Sequence, residues 1–246
     1  MTDLLQLAKK VSQQAEVFST SYEATDVSFE ANRVKAAHTR QGRGRALRLI
    51  KDGRVGLAST TRPETDARLL EMALEVASLG NEAAFHLPGH TAFPSIDIYD
   101  PSVETIRLDD MAAMGQALID AVRKDWPDVQ CEGEVARSTS TVELQNSEGG
   151  QAKYRKSTFH ASIEGVLIRG TDMLFVGESR SSCQPFAYPQ DIVESVLKQL
   201  EWARTMAPGL TGTYPVVFTP RGVASAFIYP LTTGFSGRTV LQGASP

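Results

Sequence analysis

The sequence has few of the side chains from which metal and disulfide sites are built. It contains two cysteines and four histidines in 246 residues. Cys131 and Cys183 do not have the spacing of a metal-ligand motif, and so few cysteines are typical of a reducing compartment. We therefore predict two inert thiols. A nucleophilic role for Cys183 is disfavoured because no neighbouring residue in the sequence would activate it.

Long apolar runs and an excess of positive charge are also lacking. No segment approaches the roughly 18 apolar residues of a membrane span, and the first ten residues lack the layout of a signal peptide. The formal net charge is −4, which disfavours binding to a phosphate backbone. The sequence alone thus predicts a cytoplasmic protein whose partners include neither a membrane nor a nucleic acid.

Motifs for catalysis and cofactor binding are missing as well. The sequence contains no Gly-x-Ser-x-Gly nucleophile elbow and no P-loop, and residues 42–44 lack the third glycine of a dinucleotide site. His86 and His90 have the spacing of a helical metal pair, but a proline and a glycine between them oppose a helix. We therefore predict no catalytic residue, no cofactor-binding residue and no metal ligand in this chain.

The clearest local signal is a hairpin within residues 42–60. Apolar residues alternate on both sides of Asp52-Gly53, and this dipeptide predicts a type I′ turn because the turn needs positive φ at both central residues. Leu47 and Leu49 share one face of the first strand. Gly56 in the returning strand indicates a bulge or the close approach of another backbone.

A basic cluster lies on and before this hairpin. It consists of four arginines: Arg40, Arg43, Arg45 and Arg48. Charges that alternate along a strand usually mark a solvated face. We interpret the cluster in that way.

Helical and strand-like periodicities alternate along the chain and predict an α+β fold, with helices packed on antiparallel sheets. Helices are predicted at residues 3–14, from about Pro63 to Gly80, at 108–124, at 192–202 and, short and apolar, at 222–228. Strands are predicted at 16–23, 26–31, 34–40, 46–50 and 54–58, and then at 130–137, 139–146, 152–165, 166–177 and 216–218. The second run of strands, from residue 130, indicates a second sheet. The predicted apolar faces of the four longer helices are, in chain order, Leu4, Ala8, Val11 and Ala15; Ala67, Leu70, Leu74 and Ala77; Met111, Met114, Leu118, Ile119 and Val122; and Ile192, Val196 and Leu200.

These patterns divide the chain into two consecutive α+β parts and the start of a third domain. An N-terminal domain is predicted at 1–80, a proline-rich linker or extended excursion at 81–107, a middle domain at 108–212, and the start of a truncated C-terminal domain at 213–246. The strand at 216–218 has few possible partners after it. We therefore expect the sequence to be the front of a longer protein.

Several short segments, in order, resemble those of a known family. Those of the N-terminal part are Val27–Glu30, Asn32–Val34, Gly42, Gly44, Arg48, Asp52–Gly56 and Ala58-Ser59. The later ones are Asn146–Gly150, Tyr154–Lys156, Val216–Pro220 and Phe235–Gly237. Together they resemble the TldD/PmbA family, which is linked to peptide and protein degradation and has the older name "modulator of DNA gyrase".

The resemblance also distinguishes between two branches of that family. TldD-like members carry a helix in which two histidines around a glutamate bind zinc, just after the strand that 216–218 resembles. At this place the chain has Arg221–Tyr229, without histidine or glutamate. The departure matches the PmbA/TldE-like branch, which lacks the motif. The resemblance places the family's remaining zinc ligand beyond Pro246.

The resemblance implies a subunit of a dimeric cytosolic metallopeptidase that degrades unfolded or modified peptides. No cofactor is then expected in this chain, and zinc would be held by a TldD-like partner; a homodimer is also possible. An alternative is a non-enzymatic module that binds peptides or a partner. A nucleic-acid regulator, suggested by the older name, is disfavoured by the net charge of −4.

Overall fold

The computed structural model describes residues 2–62, 65–205, 207–209 and 211–245. The chain forms two compact units, Met1–Arg204 and Thr205–Pro246. The first unit combines an antiparallel sheet with packed helices, which confirms the α+β class. The domain boundaries after residues 80, 107 and 212 stay predictions.

The first unit contains five helices and six strands in its described residues. In chain order they are α1 (Thr2–Lys9), β1 (Gln14–Glu30), β2 (Arg33–Lys51), β3 (Arg54–Thr60), α2 (Asp66–Leu79), α3 (Ser102–Thr105), α4 (Leu108–Asp125), β4 (Gln130–Asn146), β5 (Gln151–Arg169), β6 (Asp172–Ser182) and α5 (Gln190–Trp202). The first helix is shorter than predicted, because Gln14 already pairs with Ile50 in the sheet. Pro63, predicted near the start of α2, lies outside the described residues.

The strands of the described residues form one sheet in the order β3-β2-β1-β4-β5-β6, with every neighbouring pair antiparallel. The prediction of a second sheet is therefore wrong: β1 and β4 pair along residues 16–29 and 133–146 and join the two halves. Several strands predicted as separate pieces are also continuous. Residues 16–31, for example, belong to β1 almost throughout.

Two tight turns fix the register of the first three strands. Asp52 and Gly53 have φ values of 51° and 72°, which confirms the predicted turn with positive φ at both residues. The turn between β1 and β2 uses Ala31 and Asn32, with φ values of 50° and 68°. The Asn32 side chain accepts a hydrogen bond of 2.7 Å from the backbone N–H of Cys131. This contact ties the first hairpin to the start of β4.

The described residues form two apolar cores on the same face of the sheet. The first core packs α1 and α2 on one end of the sheet through Leu4, Ala8, Val17, Leu47, Leu49, Leu69 and Ala73. The second packs α4 and α5 on the other end through Val27, Phe29, Met111, Leu118, Val122, Phe159, Ile163, Ile192, Val196 and Leu200. The positions of Val17 and Val27 on β1 differ by an even number, so their side chains point to the same face of the sheet.

Residues 81–101 are irregular, as the linker prediction expects, but they are bound to the first unit. The N–H of Ala83 donates to the carbonyl of Gly53 at 2.8 Å. Farther along, the Asn146 amide donates to the carbonyl of Pro88 at 2.8 Å. The N–H of Ser157 then donates to the carbonyl of Ile98 at 3.0 Å. The segment is therefore an extended excursion along the unit and not a free tether.

The second unit contains short helical turns in its described residues: α6 (Pro220–Val223), a π-helical turn (Ala224–Ile228), α7 (Tyr229–Gly234) and α8 (Gly237–Leu241). The helical segment predicted at 222–228 is thus confirmed. The strand predicted at 216–218 is wrong, because these residues are exposed and have no strand partner among the described residues. Nowhere in the described chain is a helix both long and apolar enough to cross a membrane.

Candidate functional site

A polar cleft separates the two cores on the helix-bearing face of the sheet. On β1, the positions between Val17 and Val27 that face the helices are Ser19, Ser21, Glu23 and Thr25. These side chains cannot form an apolar core. The helices therefore pack at the two ends of the sheet and leave the middle of β1, β2, β4 and β5 as the floor of a cleft.

The strand register arranges the floor in cross-strand rows. The central row is Arg43, Ser21, Thr141 and Arg155, from β2, β1, β4 and β5 in that order. It is flanked by the Arg45 row (Arg45, Ser19, Glu143, Lys153) and by the Gln41 row (Gln41, Glu23, Thr139, Ser157). Side chains two residues apart on a strand share a face, so all three rows lie on the helix-bearing side.

The cleft is large enough for a ligand. Its volume is about 610 Å³, within the usual range of small-molecule sites. The lining consists of Ser21, Tyr22, Glu23, Gln41, Gly42, Arg43, Thr61, Thr139, Ser140, Thr141 and Arg155. Hydroxyl, amide and guanidinium groups dominate this set, so the cleft favours a polar ligand.

The two cations in the flanking rows are paired within the protein. Arg45 forms an ion pair with Asp66 at the start of α2, with 2.7 Å between Nη2 and Oδ1. Lys153 forms an ion pair with Glu143 in the same row. In the Gln41 row, the Gln41 amide donates to Glu23 Oε2 at 3.2 Å. Arg45 and Lys153 thus have carboxylate partners, whereas Glu23 has a neutral one.

The central row differs because it carries two arginines and no carboxylate. Arg155 donates to Glu104 Oε1 at 2.7 Å, and its guanidinium carbon lies 4.0 Å from the centre of the Tyr99 ring. Tyr99 also donates to Glu104, and desolvation, together with this hydrogen bond, raises the pKa of Tyr99. Arg43 has no hydrogen-bond or ion-pair partner in the described part of the chain, and its side chain is exposed.

The structure corrects the interpretation of the basic cluster as one solvated face. Arg40 and Arg48 lie on the face opposite the helices, where they pair with Asp26 and Glu16. Both carboxylates are more than nine-tenths buried. Arg43 and Arg45 alternate to the other face and reach the cleft. Alternation splits the cluster in two, and Arg43 is the member without an ion-pair partner among the residues described.

The four histidines lie apart in the structure. His38 Nδ1 lies 3.4 Å from Asp26 Oδ2, and His160 Nδ1 lies 2.8 Å from Ser181 Oγ. His86 and His90 belong to the irregular segment. No group of three or more histidine, cysteine, aspartate or glutamate side chains with metal-binding geometry exists among the residues described.

The two cysteines have different surroundings, and this gives a first testable prediction. Cys131 is buried in the second core, and burial raises the pKa of its thiol to about 11. Cys183 is partly exposed. We expect iodoacetamide at pH 8 to label Cys183 in the native protein and both cysteines in guanidinium chloride, as measured by mass spectrometry. A Cys183→Ser variant should show almost no native labelling; rapid labelling of Cys131 in this variant would contradict the prediction.

Part of the chain matches a known family domain. Residues 15–77 match the family domain described as "PmbA/TldA metallopeptidase domain 1". An uncharacterized protein of Methanocaldococcus jannaschii is 24% identical over 249 residues, which cover 98% of this chain and 56% of that protein. The chain thus spans little more than half the length of this curated relative.

Solved structures show the same fold. TldE from Thermococcus kodakarensis has a TM-score of 0.90 at 22% identity, covering 100% of this chain and 57% of that one. A proposed modulator of DNA gyrase from Bacteroides thetaiotaomicron has a TM-score of 0.83 at 17% identity, covering 98% of this chain and 58% of that one. A similar protein from Thermotoga maritima has a TM-score of 0.74 over 85% of this chain. The resemblance found in the sequence is therefore confirmed: residues 15–77 match the first domain of the PmbA/TldD family, and the chain has the fold of these solved structures.

Proposed function

We propose that this chain is a PmbA/TldE-like subunit of a TldD/PmbA-type metallopeptidase complex that degrades unfolded or modified peptides in the cytoplasm. The observation that carries the proposal is the correspondence with the TldE fold along the whole chain, at a TM-score of 0.90. The domain boundaries after residues 80, 107 and 212 are part of the proposal. The partner would be a TldD-like subunit, with a homodimer as the other possible assembly.

The segment Arg221–Tyr229 does not fit a zinc ion. It spans α6, the π-helical turn and the first residue of α7, and it offers neither imidazole, carboxylate nor thiolate groups. Catalytic zinc needs about three protein ligands and an open position for water. In the proposed complex, the TldD-like partner therefore holds the zinc and activates the water.

In the proposed complex, this chain holds and encloses the peptide. The cleft exposes hydroxyl and amide groups of Ser21, Gln41, Thr139 and Thr141 along several strands. Groups of this kind can pair with the N–H and C=O groups of a peptide without selecting its apolar side chains. We assign the cleft to the wall of the chamber in which the peptide is bound.

Assembly and cleavage are tested together. We expect the chain alone to show no zinc-dependent cleavage of an unfolded peptide, because Arg221–Tyr229 lacks zinc ligands. Mixed with a TldD-like protein from the same genome, it should form a stable complex that cleaves the peptide. Size-exclusion chromatography and mass spectrometry of the cleavage products measure the two effects.

The matched control is the same partner with both motif histidines replaced by alanine. This complex should form and remain inactive, and a chelator should silence the unmodified complex in the same way. Zinc-dependent cleavage by the chain alone would overturn the proposal. So would the failure of the two proteins to associate at micromolar concentration.

A second candidate is a non-enzymatic module that binds peptides or a partner. The cleft favours it, because a site of about 610 Å³ lined by polar groups is suited to binding and has no cluster of metal ligands among the described residues. Co-purification separates the candidates: a metal-bearing partner of similar fold supports the peptidase subunit. Peptide binding without any such partner supports the module.

A further inference from the structure

We propose that the central row of the cleft is a carboxylate-binding site, which selects peptides with acidic side chains. The inference rests on the proposed function only in taking a peptide as the ligand. It adds the chemical class of the peptide and the residues that recognise it. Arg43 and Arg155 are the recognising cations, and Ser21 and Thr141 are the hydroxyl donors between them.

The charges of the cleft favour a ligand with a carboxylate. Arg45 and Lys153 are paired with carboxylates, as described above. Arg155 shares Glu104 with Tyr99, and Arg43 has no partner within the described residues. The central row therefore has one cation in excess, Arg43, while Glu23 in the next row brings a carboxylate with an amide partner and the protein as a whole is negative, at −4. A guanidinium in such a place binds carboxylates through charge-assisted hydrogen bonds.

The geometry of the central row also favours a carboxylate between the two arginines. Neighbouring strands are about 4.8 Å apart, so the backbones at Arg43 and Arg155 are separated by three strand spacings, or about 14 Å. Two long side chains can reach inward across this distance from opposite banks. Tyr99 and Glu104 hold the Arg155 guanidinium in place at 4.0 Å and 2.7 Å, which lowers the entropy lost when a ligand binds. Ser21 and Thr141 lie directly between the two arginines.

The size and lining of the cleft favour a peptide over a small inorganic anion. A small inorganic anion would occupy only a fraction of the 610 Å³ of the cleft. The remaining lining presents both donors and acceptors, from Gln41, Glu23 and Thr139, on one side of the central row. The acceptor oxygens among them match peptide N–H groups, which a bare oxyanion does not have. An acidic peptide uses the whole cleft.

The test measures peptide binding to the full chain by fluorescence anisotropy. The probe is a fluorescein-labelled decapeptide of alternating glycine and aspartate, and the matched peptide has asparagine in place of aspartate. We expect the aspartate peptide to bind at least tenfold more tightly, and Arg43→Gln to weaken it by about tenfold. Arg33→Gln is the control, because Arg33 is also exposed but lies in the turn region, away from the cleft. It should bind like the unmodified chain.

Equal affinities for the two peptides, or an equal loss in the Arg43→Gln and Arg33→Gln variants, would overturn the inference. Displacement of the peptide by inorganic phosphate at a lower concentration than unlabelled peptide requires would overturn it too, because the cleft would then be an inorganic-anion site. Circular dichroism of each variant confirms that it is folded. Binding needs neither zinc nor partner, so a failed assembly experiment would remove the proposed complex and leave this result standing.

Discussion

Replacing Gly56 with alanine is expected to lower the free energy of unfolding by about 3 kcal/mol, as measured by urea denaturation followed by circular dichroism. Gly56 lies on β3 under α2. A Cβ atom at this position would be 2.1 Å from the carbonyl oxygen of Ala73 and 2.8 Å from the Cβ of Ala77. The obstacle is the backbone of a helix and not the flexible end of a side chain. The helix must therefore move away from the sheet and give up part of the first core.

Gly44→Ala on β2 is the matched control for this substitution. A Cβ atom there would have its nearest neighbour, the Thr20 Cγ2 atom, at 3.6 Å, which is ordinary van der Waals contact. We expect its effect on stability to stay within about 0.5 kcal/mol, since the alanine fits and restricts the unfolded chain. If the two variants were equally stable, the close packing of α2 on β3 would be refuted.

The hairpin shows what the sequence can predict. Its turn depends on two adjacent residues, Asp52 and Gly53, whose conformational preferences are local, and the predicted positive φ values are found. Gly56 was predicted to permit either a bulge or a close approach, and the approach of α2 decides between them. Periodicity also predicted the buried faces of α4 and α5, because an amphipathic helix needs only its own sequence to define a face. The stripe predicted for α2 is wrong in part: Leu69, Ala73 and Ala77 are buried, whereas Ala67 is exposed.

The continuity of the sheet could not be predicted, for a physical reason. The middle of β1 carries small and polar residues on the helix-bearing face, so no apolar alternation links the predicted strands at 16–23 and 26–31. What holds this part in the sheet is pairing with β4, more than a hundred residues later in the chain. Such pairing leaves no local signal, and the chain was therefore divided into two sheets where there is one.

The cleft was missed for the same reason. Arg43 and Arg155 belong to strands that do not neighbour each other, and they share a row only through the registers of three strand pairs. A signal was nevertheless present in the sequence. The arginines of the basic cluster alternate between the two faces of β2, so half of them face the helices. An arginine without an ion-pair partner is unusual there. If each arginine of the cluster had been matched with a carboxylate, Arg43 would have been left without one.

The second large effect is expected in the first core. Leu47 lies on β2 between α1 and α2 and is fully buried. Leu47→Ala should lower the free energy of unfolding by about 3 to 4 kcal/mol, because it removes buried methyl groups and leaves a cavity between the helices and the sheet. Leu57→Ala on β3 is the matched control. That side chain is 55% exposed, and its truncation should cost less than about 0.5 kcal/mol.

The same comparison also tests whether the two cores unfold together, because both tryptophans of the chain lie at the opposite end of the sheet from Leu47. Trp126 packs against the second core, and Trp202 ends α5. Since β1 contributes residues to both cores, we expect Leu47→Ala to shift the urea midpoint seen by tryptophan fluorescence as much as the midpoint seen by circular dichroism. An unchanged fluorescence midpoint would mean that the polar cleft uncouples the two cores. In that case the continuous sheet would not unfold as one cooperative unit.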